Sequence, residues 1–244
     1  VTPLDGSDVA QFSGLIYADV LWSVIRGTNT LGKIPFHPAD NVPAGDNYLT
    51  IAELTSYASA WKLERPWPNG PSPIPISFLA NAIALWLHGE AYQYDPQTNS
   101  APPSWTNRAV PPPWPPVPPG SPPANRGTAV ADLPAEYQLG TNITVSITVT
   151  PQTNVTAYAV EDQPPDGWLV SQMTGDGLWD DLTRKVKWGP FFDRVARTLA
   201  YQATPASNTL GVAVFAGVAS FDGANLPVSG QRQTGLSGGI GGVA

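Results

Sequence analysis

The sequence predicts an α+β chain of several units: a small helical N-terminal module, a polyproline linker and an antiparallel β-sandwich. Three observations carry this. Apolar residues recur at spacings of three and four in the N-terminal part, 11 of the 22 residues from Pro102 to Pro123 are proline, and beyond Thr128 the apolar period becomes two. The expected divisions are 1–97 for the helical module, 98–127 for the linker, 128–229 for the sandwich and 230–244 for a glycine-rich tail.

In the helical module, Asp8 is a good N-cap for a helix whose apolar stripe is Phe12, Leu15, Ile16, Val20 and Val24, stopped at Gly27. A second helix is expected from Thr50 through Trp61. A third is expected to start at an N-cap Ser77 and run through Leu79, Ile83, Trp86 and Leu87 to Gly89.

The proline tract, with its PPPWPPVPP core, can enter neither a helix nor a sheet interior and is expected to form an extended polyproline II spacer. Trp105 and Trp114 inside it have no local core. Their expected role is docking on a neighbouring surface, of this chain or of another copy.

The strand signal is clearest at Ile143, Val145, Ile147 and Val149, which alternate with Thr144, Ser146 and Thr148. One face is buried and the other wet. Further strands are expected at Val155–Glu161, Gly167–Met173, Arg184–Trp188, Thr198–Thr204 and Gly211–Phe221, separated by PPDG, GDG and FDG turns, the spacing of a sandwich. The closing GLSGGIGGVA is too glycine-rich to order itself.

Composition narrows the function. Charged residues make up 13% of the chain, about half the usual share, so the surface is solubilised by hydroxyls and amides. There is no cysteine, which removes disulfides, thiolate metal sites and thiol catalysis. A formal charge of −7 offers no basic face for nucleic acid, and no apolar run is long enough for a membrane-spanning helix. The proline- and glycine-rich, cysteine-free composition suits an extended extracellular or cell-surface protein.

One segment has the second half of a calcium-loop pattern. In Asp46, Tyr48, Leu49, Thr50 and Glu53, Leu49 is the apolar eighth position, Thr50 the ninth and Glu53 the bidentate twelfth, with Tyr48 offering its carbonyl. The first and third positions fall on Val42 and Ala44, which cannot coordinate, so Asp40 and Asn41 would have to supply the missing oxygens. Thr2 and Asp5 at the chain start repeat the same half-pattern. Both stretches are equally capping boxes, which need no metal.

On these residues the N-terminal part resembles dockerins, the paired calcium-loop-plus-helix modules of secreted bacterial proteins. The resemblance implies calcium at Asp40, Asp46, Tyr48, Thr50 and Glu53 and at Thr2 and Asp5. It also implies partner recognition by the residues just before each terminal acid, here Pro3 and Leu4, and Ile51 and Ala52. The C-terminal strings YAVEDQPPDGW, VKWGPF and ASFDG are similar to immunoglobulin-like repeats of bacterial surface proteins, which implies adhesion or spacing.

Trp168, Trp179 and Trp188 could stack on sugars, although large aromatics in a sandwich more often fill the core. Asn142 and Asn154 head glycosylation sequons. Catalysis finds little material: His37 and His88 read as structural, and the adjacent acids Glu161/Asp162 and Asp180/Asp181 would point to opposite faces of a strand and serve surface solvation. The expectation is a non-enzymatic structural subunit of an extracellular filament or cell-surface assembly, its subunits joined head to tail through the helical module, linker and tail. Copies of itself or another surface protein are the expected partner, and glycans a further one. The alternative is a non-catalytic adhesion, anchoring or carbohydrate-binding module of a larger secreted protein.

Overall fold

The computed structural model describes residues 36–41, 45–95, 104–108 and 126–237. The expected helix after Asp8, the proline core around Trp114 and the last seven residues, 238–244, lie outside this set.

Helix α1 spans Ile51–Lys62 and α2 spans Ile76–Leu87. α1 starts where the sequence predicts because Thr50 and Glu53 cap it reciprocally: the Thr50 hydroxyl accepts from the Glu53 N–H at 3.2 Å, and the Glu53 carboxylate accepts from the Thr50 N–H at 3.0 Å. α2 differs from expectation. Its N-cap is Pro75 rather than Ser77, because the proline ring fixes φ and delivers the chain directly into the first helical position, Ile76. Phe78, Leu79, Ala82, Leu85 and Trp86 form its buried face. His88 closes it as the C-cap.

The expected linker does not begin where the prolines suggest. Strand β1 (Tyr92–Asp95) pairs antiparallel with β2 (Ser104–Asn107), and this carries Trp105 back into the helical core. Trp105 is 2% exposed, with its ring 4.7 Å from His37 and 5.9 Å from Phe78. The expectation of a docking residue is therefore resolved within the chain itself. A flat ring with a large apolar area is worth most where α2, His37 and β2 can all enclose it.

Thirteen further strands follow: β3 (Gly127–Asp132), β4 (Glu136–Tyr137), β5 (Ile143–Pro151), β6 (Tyr158–Gln163), β7 (Leu169–Ser171), β8 (Leu178–Asp180), β9 (Lys185–Phe191), β10 (Arg197–Thr204), β11 (Val212–Val214), β12 (Ala216–Phe221), β13 (Ala224–Pro227), β14 (Ser229–Gly230) and β15 (Gln233–Leu236). They build a β-sandwich. One five-stranded sheet has the order β14-β3-β5-β10-β7, the other β13-β12-β6-β9-β8, and a small sheet β11-β15-β4 closes one side. Most pairs are antiparallel, but β14 runs parallel to β3 and β15 parallel to β4. The expected glycine-rich tail thus contributes β15, whose Thr234 and Leu236 pack against the sandwich.

The core between the sheets is filled by Val145, Ile147, Val149, Tyr158, Val160, Trp168, Trp188, Tyr201 and Phe221. On the outer face of the second sheet lies the helical layer: Ala157 and Ala159 of that face belong to the helical core, Trp61 meets Phe192 edge-on at 5.4 Å, and the Thr55 and Ser220 hydroxyls are 2.8 Å apart. The helices therefore cover one sheet of the sandwich and leave the other wet.

Candidate functional site

Of the predicted calcium-loop residues, Thr2 and Asp5 lie outside the described residues, as do Pro3, Leu4 and Trp114. Asp40, Asp46, Tyr48, Thr50 and Glu53 do come together, but their carboxylates face N–H and O–H donors. Asp40 accepts from the N–H groups of Gly45 at 3.0 Å, Asp46 at 3.3 Å and Asn47 at 2.9 Å, and from the Tyr92 hydroxyl. Glu53 Oε1 accepts from the Asn41 N–H at 2.8 Å, and Oε2 from both the N–H and the hydroxyl of Thr50. The Tyr48 hydroxyl donates to Glu90. A calcium cage needs oxygens converging on one point at about 2.3–2.6 Å; here the same oxygens accept hydrogen bonds within a turn that ends in a capping box. Among the described residues no group of three or more His, Asp or Glu side chains is placed to hold a metal ion.

Burial raises the Asp40 carboxyl above its ordinary range against the pull of its donors. Burial, then the Asp40 charge, pushes Asp46 up to about 6. His37 is driven down to about 3 by burial and is neutral, its Nδ1 accepting from the Ala39 N–H at 3.0 Å. It is structural, as its sequence context suggests.

The two partner-facing positions on α1 are used internally. Ile51 is buried in the helical core. Ala52 is half-buried one turn from Ser56, where the β12–β13 turn approaches so closely that a Cβ on Gly223 would come within 2.9 Å of the Ser56 Cβ.

The chemistry missed by sequence reasoning lies between the helices and the sheet. The Lys187 ammonium is fully buried and donates to the Trp86 carbonyl at 2.6 Å and to Asp180 at 2.8 Å, with Glu90 Oε1 at 2.7 Å. Three acceptors match its three N–H groups. Lys185 joins the cluster through Glu161 at 2.9 Å and Glu90 at 3.2 Å. Burial opposes ionisation of Glu90, but Lys185 and Lys187 hold its carboxyl below its usual range, whereas for Glu161 burial wins and raises it.

Glu161 and Asp162 do point to opposite faces of β6, as adjacent strand residues must, but the expectation of surface solvation is wrong for both. The helices cover one face of β6 and the other sheet covers the other. Asp162 turns into the sandwich, bound by Arg232 and by the Tyr201 hydroxyl at 2.8 Å. Asp180 is likewise buried, and only Asp181 of its pair reaches water. Trp168 and Trp188 are core, while Trp179 is half-buried under the Arg184 guanidinium at 4.8 Å.

Two exposed surfaces among the described residues bear on function. The outer face of β3, β5 and β10 carries mostly hydroxyls and amides, with Val130, Asp132 and Ala200 among them, aligned by the register Thr128↔Thr150, Val130↔Thr148, Asp132↔Ser146, Thr148↔Thr198, Ser146↔Ala200 and Thr144↔Gln202. Its members bond to one another: Gln202 donates to Thr144 at 2.8 Å and Thr204 to Asn142 at 2.7 Å. The sequon residue Asn142 stands on this face, and Asn154 is also exposed. The second surface is strand β11 with its approach, where Leu210, Val212 and Val214 are 80%, 64% and 55% exposed.

No protein-family model matches the chain, and no curated protein matches it in sequence. Among solved structures it is similar to a cohesin module of a family 33 glycoside hydrolase from Clostridium perfringens, at 12% identity and a TM-score of 0.34 over 46% of this chain and 96% of that one. A non-cellulosomal cohesin from Archaeoglobus fulgidus matches at 11% identity and a TM-score of 0.30, over 46% and 94%. The chitin-binding domain of a Pyrococcus furiosus chitinase matches at 10% identity and a TM-score of 0.32, over 44% and 99%. Similarity this low carries no functional inference.

Proposed function

We propose that this chain is a non-catalytic adhesion or binding module of a larger extracellular protein, with the outer face of β3, β5 and β10 as its glycan-recognising surface. The observation that supports it is the hydroxyl and amide array on that face, pre-ordered by the Gln202–Thr144 and Thr204–Asn142 hydrogen bonds. A mostly uncharged surface on which some of the donors and acceptors are already held in place meets a polyhydroxylated polymer at reduced ordering cost. The ionic cluster, by contrast, is largely buried, with Lys187, Asp180 and Glu90 out of water and Lys185 reaching its rim.

The test is co-sedimentation of the protein with insoluble polysaccharides, compared with variants Gln202→Glu and Thr148→Glu, which place charge on that face without touching the core. Binding by the parent and loss in the variants is expected. Equal binding by all three would sink this reading.

Self-assembly is the second reading, favoured by the apolar edge at Val212 and Val214. Calcium in the Asp40–Glu53 turn is retained only as a proposal that a chelation experiment can decide.

A further inference from the structure

Lys187 stands on β9 and faces the helical layer, out of contact with water. Its ammonium has Asp180 of β8 at 2.8 Å, Glu90 at 2.7 Å and the Trp86 carbonyl at 2.6 Å. Two buried carboxylates thus meet on one nitrogen, and they are held differently.

Asp180 has donors on both oxygens. Oδ1 accepts from the Leu182 N–H at 3.0 Å, and Oδ2 accepts from the Thr183 hydroxyl at 2.6 Å as well as from Lys187. Fixed donors of this kind stabilise the negative charge that builds on a carboxyl group when a nucleophile adds to its carbon. Glu90 faces a second ammonium instead, Lys185 at 3.2 Å. Burial opposes its ionisation, but Lys185 and Lys187 hold its carboxyl below the usual range, so it is a carboxylate able to accept a proton.

We infer that Lys187 and Asp180 condense into an isopeptide bond between Nζ and Cγ, with Glu90 as the proton carrier. The structure shows the pair before the bond closes. An oxygen contact of 2.8 Å brings the amine close to the separation of about 3–3.5 Å from which reacting atoms attack.

The step balances without a co-reactant. One ammonium proton passes from Nζ to Glu90 Oε1, and the freed lone pair adds to Asp180 Cγ. The charge that develops on Oδ1 meets the Leu182 N–H. A second proton moves from Nζ to Oδ2, the proton on Glu90 follows it, and Oδ2 departs as water, so that one C–O bond is broken and one C–N bond is made. The product is an amide with one N–H, and Glu90 is again a carboxylate paired with Lys185.

An amine and a carboxylate free in water do not condense, but these two are not free. Groups fixed in contact reach effective molarities on the order of 10⁵–10⁸ M, and a site that excludes water withholds the reagent of the reverse reaction. Replacing an ion pair by a neutral amide also ends the cost of keeping those two charges buried. The bond fastens β8, the three-residue outer strand of its sheet, to β9 in a chain that has no cysteine to do so. It is independent of the glycan face and of self-assembly.

Intact-mass spectrometry of the purified full chain should read one water less than the sequence requires, and Lys187→Met, which has no amine, should read its full mass. Trypsin locates the loss. Lys187 blocked at Nζ is not cleaved, so residues 186–194 should emerge branched onto the peptide that ends at Arg184. Glu90→Gln, shown to be folded by circular dichroism, should keep the water. The parent's mass and peptide map decide the bond even where a variant fails to fold. A parent at full mass overturns the inference. So does a lost water that maps to a Lys187–Glu90 bond, or to a succinimide at Asp166, Asp176 or Asp222 ahead of glycine. A folded Glu90→Gln chain that closes the bond as the parent does overturns the role of Glu90.

Discussion

The Lys187 ammonium lies 2.7 Å from the Glu90 carboxylate, and the pair joins strand β9 to the loop just beyond helix α2. Both side chains are out of water, and each has one further partner, Asp180 at 2.8 Å for Lys187 and Lys185 at 3.2 Å for Glu90. Lys187→Ala is expected to destabilise the protein by about 3–5 kcal/mol, the cost of leaving buried carboxylates uncompensated. Lys187→Met combined with Glu90→Gln should cost less, because Asp180 is then the one carboxylate left without its lysine. Urea unfolding of the two variants measures this; equal losses would show that the pair is not energetically linked.

Trp105 gives a second stability prediction, away from the ionic cluster. Its ring is enclosed by His37, Phe78 and Tyr94, so Trp105→Ala should lose about 3–5 kcal/mol and lower the thermal midpoint. A polyproline tether would tolerate the change. Thermal unfolding with near-ultraviolet dichroism separates the two, and an unshifted midpoint would return Trp105 to the linker.

What the sequence reveals and conceals follows from how many faces of an element are covered. β5 is legible because one of its faces is wet, so apolar and hydroxyl residues alternate from Ile143 to Val149. β6 is not, because helices cover one side and the other sheet covers the second, and nearly every residue is buried. Lys185 and Lys187, alternating with Val186 and Trp188, look like the wet face of a strand; their partner Glu90 is far away in sequence and only the packing of helix on sheet brings it near. The capping box at Thr50 and Glu53 was readable because it is local. The open edge at β11 had one visible sign, the uncharged stretch around it, but its exposure depends on which strand becomes the last in a sheet.

The turn ahead of α1 is held by the same groups that the calcium proposal would use as ligands. Glu53→Ala removes the acceptor of the Thr50 and Asn41 N–H groups and should cost about 1–2 kcal/mol, in the range of a lost helix cap. That loss should be the same with calcium and with a chelator. A parent whose thermal midpoint rises on adding calcium, with the rise abolished in Glu53→Ala, would establish the metal instead.

Asp46 makes the same turn sensitive to pH. Its carboxyl is pushed up to about 6 by burial and by the Asp40 charge, against an ordinary value of 3.8. Because the folded state holds the proton more tightly than the unfolded state, Asp46 costs nothing below the ordinary value. It costs progressively more as pH rises, and its full penalty is reached above about 6. Asp46→Asn keeps an oxygen for the Tyr48 N–H, which Asp46 Oδ1 accepts at 2.7 Å, and removes the charge. The variant should therefore be more stable than the parent at pH 7.5, by no more than about 1 kcal/mol since the group is partly solvated and screened. The difference should shrink towards pH 4. Urea midpoints at the two pH values read this directly; a variant that is less stable at pH 7.5, or a gain that persists unchanged to pH 4, would mean that the Asp46 charge is not what strains the turn.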